Sequence, residues 1–190
     1  MADYSNIDTA LAVFEPTYRD LFSELRGAGW HEERRADPAK VALEPHWPMP
    51  FPMHDMARDF LLRFSGVNLV GNDWAGVRFG CGYLCTADSL KVTAPYDVER
   101  LVLGEDEDTG RPPAFPIGTM DDWMLFLRED WTTLTVAFTW RHVLLTADPF
   151  QVVEEFRCSG HHIWDDPQRH ICVDDINQVP VSLIGGAYDL

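Results

Sequence analysis

Long apolar runs are missing from this chain. The uninterrupted ones, such as Met124 to Leu127, extend over only a few residues. A helix that crosses a bilayer needs about 20 consecutive apolar residues, so no membrane span is expected. A secretory leader is not expected either, because Met1-Ala2-Asp3-Tyr4-Ser5 is acidic where a signal peptide is basic. These two absences point to the cytoplasm. Cysteine is sparse, with Cys81, Cys85, Cys158 and Cys172 alone, and a cytoplasmic chain keeps such thiols reduced. Basic side chains are scarce: 15 Lys and Arg stand against 31 Asp and Glu, a formal net charge of −16. A surface of that sign repels nucleic-acid phosphate and anionic lipid, so neither is expected as a direct ligand. It attracts basic partners and speeds their encounter. Solubility is the plainer use of the same charge.

Motifs of the common catalytic classes are also missing. The sequence holds no G-x-S-x-G elbow and no phosphate-binding loop. Gly80-Cys81-Gly82 starts like a dinucleotide fingerprint, but Cys85 stands where the third glycine is required. His31-Glu32-Glu33-Arg34-Arg35 starts like a zinc-protease helix, but Arg35 stands where the second metal-binding His must lie. No cofactor is expected from these segments.

What is present is enough for a core. Hydrophobic residues are 46% of the 190, aromatics are 12%, and seven are Trp, which excludes a largely disordered chain. A single domain of this length buries roughly 70% of its unfolded surface and needs no disulfide or metal to hold it. From Pro16 to Gly27, Tyr18, Leu21, Phe22 and Leu25 follow helical spacing, with Pro16 suited to the first turn. Ile7 to Phe14 reads as a separate short helix. A second amphipathic helix runs from about His54 to Phe64, with Met53, Met56, Phe60, Leu61 and Phe64 on one face and Gly66 beyond its end.

After Gly66 the period changes to two. Strands are expected over Phe79 to Cys85, Leu90 to Thr93, Arg100 to Leu103, Trp123 to Leu127, Leu134 to Phe138 and His142 to Leu145. Arg128-Glu129-Asp130-Trp131 lies at hairpin distance between two of them. Asp148 and Pro149 open a last helix that reaches about Cys158, with Phe150, Val153 and Phe156 inward. Val179 to Ile184 is a further strand candidate. Helices, then strands, then a helix give an α+β fold: an antiparallel sheet flanked by N-terminal and C-terminal helices.

Three constellations could carry chemistry. Cys158, His161, His170 and Cys172 offer two thiolates and two imidazoles, a set that could hold zinc and serve a zinc-dependent hydrolase. The plain alternative is a buried Cys158, two surface histidines and a core Cys172. His161-His162 with Asp165-Asp166, and the carboxylate pairs Asp121-Asp122 and Asp174-Asp175, could serve acid–base work, although adjacent acids usually point apart. The third constellation is a surface. Glu105, Asp106, Glu107, Asp108, Asp121, Asp122, Asp165 and Asp166, with Glu129 and Asp130, fall near strand ends and turns. There they are free to meet a partner. Trp123 and Trp131 lie among them as possible interface anchors, although core is the commoner place for a Trp.

Several landmarks then occur in order. Leu25-Arg26-Gly27-Ala28-Gly29-Trp30 is followed by Arg34-Arg35. Phe60-Leu61-Leu62-Arg63-Phe64-Ser65-Gly66 ends the second helix, and Phe115-Pro116-Ile117-Gly118 reads as a turn before the central hairpin. This order resembles the SUKH superfamily of bacterial toxin-immunity proteins, its third subgroup most closely, over about residues 15–158. Ser65 stands where that family has a glycine, and Asp130-Trp131 stands where its hairpin has Asp-Gly. Residues 159–190 form an extension with no counterpart in the resemblance. The resemblance implies a single domain over 1–190 that binds and blocks a toxin domain, often a nuclease or nucleic-acid deaminase, and has no enzymatic activity of its own. It implies structural roles for Gly29, Trp30, Gly66, Pro116 and Gly118. The runner-up is the zinc-dependent hydrolase built on Cys158, His161, His170 and Cys172; a third reading is the same fold used as a scaffold for a protein that is not a toxin.

Overall fold

A computed structural model of the chain describes residues 6–38, 41, 53–71, 76–80, 114–120, 123–137, 142–159 and 170–172. The fold is α+β. Helices α1 (Ile7–Thr17), α2 (Arg19–Gly27) and α3 (Asp55–Phe64) precede strands β1 (Asn68–Leu69), β2 (Val77–Phe79), β3 (Phe115–Met120), β4 (Trp123–Leu127), β5 (Thr133–Ala137) and β6 (His142–Thr146). Helix α4 (Pro149–Ser159) and strand β7 (His170–Cys172) close the described chain. The strands form one antiparallel sheet in sequence order, β1 to β7.

Helix α1 is longer than its sequence suggests, and Pro16 sits at its end, not at the start of the next helix. The start at Ile7 is the expected one, and Asn6 and Thr9 fix it; the added length is at the C-terminal end. The Thr9 amide donates to Asn6 Oδ1 at 3.0 Å, and the Asn6 amide donates to Thr9 Oγ1, a reciprocal capping box. Pro16 lacks an N–H for the helix ladder, and α1 ends one residue later. Tyr18, with φ −112° and ψ 48°, then turns the chain into α2.

The helices and one face of the sheet share a core. Ile7, Ala10, Leu11 and Phe14 of α1 join Leu21, Phe22, Leu25, Phe60, Phe64 and Phe150 there, against Val77, Phe79, Phe115, Ile117, Met120, Leu125, Leu127 and Leu144 of the sheet. Alternate residues of the same strands, Met124, Phe126, Leu134, Val136 and Leu145, are buried too. By strand alternation they face the other way. Both faces of the central sheet are therefore withdrawn from water, which is why Trp123 to Leu127 reads as a continuous apolar run. Met53, expected on the inner face of α3, is 39% exposed; the helix begins two residues later and leaves it outside the buried stripe.

Phe115 to Gly118, expected as a turn, instead form the first part of strand β3 between β2 and β4, with Pro116 and Gly118 marking an irregularity in it. The β3–β4 register shifts between them, and such a bulge is where a sheet accommodates proline. At Gly118 a Cβ would lie 2.5 Å from the Arg78 carbonyl oxygen and 3.2 Å from the Phe79 Cα. Both neighbours are backbone and cannot rotate away. Gly118→Ala is expected to force β2 from β3 and to cost about 1–3 kcal/mol in urea unfolding. Unchanged stability would mean the two strands do not approach this closely.

A candidate interaction surface and the frame that holds it

Strand register fixes where the expected surface attaches. Phe115 pairs with Leu127, and Thr133 pairs with Thr146. The start of β3, the β4–β5 hairpin and the end of β6 therefore share one end of the sheet. Met120 pairs with Trp123 at the opposite end, about 17 Å away for five-residue strands. Glu105, Asp106, Glu107 and Asp108 lie outside the described residues, in the segment that leaves β2 and enters β3 at the hairpin end. Asp165 and Asp166 also lie outside them, in the segment that enters β7, where His170 pairs with Leu144. Asp121 and Asp122, likewise outside, link Met120 to Trp123 at the opposite end.

The hairpin holds the exposed acids of this group that the structure describes, Glu129 and Asp130. The Arg128 amide donates to the Thr132 carbonyl at 3.0 Å, and the Trp131 amide donates to the Arg128 carbonyl at 3.1 Å. These bonds close a three-residue loop whose last residue must be left-handed, a place that favours glycine. Trp131 occupies it with φ +70°. An L-residue in that region loses about 1–2 kcal/mol relative to a right-handed one. Burial offsets the cost. Trp131 is 1% exposed, and its ring meets Phe14 edge-on at 5.3 Å. Asp130 is used within the turn, since its Oδ1 accepts from the amide of Thr132 at 3.0 Å and from its hydroxyl. Glu129 is left to present its charge outward. Trp131 is thus core and not an anchor, whereas Trp123 is half-buried and packs against Phe156 at 6.5 Å.

His54 ties α3 to this hairpin. Its Nδ1 accepts from the Ala57 amide at 3.2 Å, which caps the helix. Its Nε2 lies 2.9 Å from the Leu127 carbonyl, which can only accept, so Nε2 carries the proton. Sequence spacing places His54 as the first residue of the helix; the structure gives it the cap and a strand contact as well. No local signal announces the second bond, because its partner is 73 positions away.

The two landmark turns are held from within. Gly29 and Gly66 have φ of +94° and +80°. Trp30 is 1% exposed, stacks on Phe64 at 5.5 Å and meets Phe22 edge-on. Arg34 donates to the carbonyls of Arg63 at 2.8 Å and Ser65 at 2.5 Å, at the C-terminal end of α3, where a cation suits the helix dipole. Burial pulls the Arg34 pKa below its ordinary value. Arg34 of the His31-to-Arg35 segment therefore clamps the C-terminal end of α3.

Cys158 is exposed on α4, contrary to the buried position its helix suggested. Phe150, Val153 and Phe156 face the core, and Cys158 falls off that stripe. Its sulfur lies 3.4 Å from Glu154 Oε1. Desolvation, together with that carboxylate, raises the thiol pKa. Arg157 donates to both Glu154 oxygens and to Glu24 of α2. This pairing holds the Glu154 carboxyl below its usual range and raises the Arg157 pKa. His161 lies outside the described residues, and His170 and Cys172 occupy β7 opposite Leu144 and His142. Asp174, Asp175 and His162 also lie outside. Among the described residues no three His, Cys, Asp or Glu side chains gather to hold a metal, and no helix is long and apolar enough to cross a membrane.

Asp148 caps α4, as its position before Pro149 suggests. Oδ1 accepts from the amides of Phe150 and Gln151, both at 2.9 Å, and Oδ2 accepts from the Tyr18 hydroxyl at 2.8 Å. Burial nonetheless raises its pKa, outweighing these bonds. A carboxyl whose folded pKa is raised stabilises the fold most at low pH, and that contribution is lost as pH rises through the folded value. Asp148→Asn keeps an oxygen for the two amides and an N–H for Tyr18. The variant should therefore gain on the wild type as pH rises from about 3 to 7. Urea unfolding across that range tests the sign; a gap that moves the other way would show that the bonds dominate over burial.

No family model, curated protein or solved structure matches the chain.

Proposed function

We propose that this chain is an immunity protein, which binds and neutralises a cognate toxin domain in the cytoplasm and catalyses no reaction itself. The toxin is a nuclease or a nucleic-acid deaminase with a basic substrate cleft. The observation that carries the reading is the distribution of charge. Residues 96–190 hold 18 acidic and 6 basic side chains, net −12, against 13 and 9, net −4, in residues 1–95. A cleft built for phosphate attracts such a surface, which then competes with the substrate by occupying its place. The order of landmarks that resembles the SUKH superfamily supports the same reading, and the α+β fold agrees with it.

Charge reversal tests the surface. With Glu105, Asp106, Glu107, Asp108, Asp121, Asp122, Asp165 and Asp166 all changed to Lys, association with the captured partner is expected to slow at least ~10-fold at low salt and to lose its salt dependence. Reversal of Asp121 and Asp122 alone, measured against the other six, shows which set the partner meets. Unchanged rates and unchanged salt dependence in all three variants would leave the acids with solubility as their only role.

A further inference from the structure

We draw no further inference here: the strongest candidate, the acidic tip of the β4–β5 hairpin at Glu129 and Asp130, is a group of surface carboxylates with no second feature among the described residues that points to a ligand.

Discussion

Trp131→Ala is expected to destabilise the protein by about 3–5 kcal/mol, the usual range for removing a large buried aromatic ring. The indole is nearly inaccessible and packs on Phe14 of α1, so its loss opens a cavity between the hairpin and the first helix. Trp131→Gly separates packing from backbone. Glycine takes a φ of +70° without steric cost, whereas alanine there keeps the penalty of about 1–2 kcal/mol. Glycine's greater freedom in the unfolded chain recovers part of that difference for alanine. The glycine variant should therefore be at least as stable as the alanine variant, by up to about 1 kcal/mol. Urea unfolding of both, measured together, checks the order. A clearly more stable alanine variant would mean that the turn is not left-handed at this residue.

Phe150→Ala is the second large effect. Phe150 is fully buried at the start of α4, and its ring centroid lies 4.9–6.3 Å from those of Phe14, Tyr18, Phe22, Phe60 and Phe64. One side chain thus joins the four helices α1 to α4 of the described residues over the sheet. Its removal should cost about 3–5 kcal/mol, a large share of the 5–15 kcal/mol that typically holds a domain. Loss of near-ultraviolet dichroism with retained far-ultraviolet signal would show that the helices persist while their packing fails. Loss below about 1 kcal/mol would contradict a hub role for this ring.

Local pattern carried most of the fold. The β4 span, the hairpin after it, and the cap and first turn of α4 were readable because each is set by neighbours a few positions away. The division between α1 and α2 was not. Proline fits either the first turn of a helix or its end, and no local signal around Pro16 decides between them. The two-residue β1 carries too few positions for a period to show. The glycine-like turn at Trp131 was hidden by the residue itself, since nothing local signals that core burial can hold a Trp in a left-handed conformation. Long-range bonds, such as His54 to Leu127 and Tyr18 to Asp148, have no sequence signature at all. The acidic excess was legible as composition, and the eight carboxylates of the expected surface lie outside the described residues.

The central claim is that this chain silences a basic protein that acts on nucleic acid. The direct measurement uses the purified full chain as bait in lysate of its own organism, followed by an activity assay on what it retains. The account predicts a basic nuclease or deaminase domain, held at low salt and released as salt rises, whose activity stops when one chain is added per molecule. Retained proteins whose nucleic-acid activity continues at equimolar or excess chain, or retention of no nucleic-acid-acting protein from cells that express one, would contradict it.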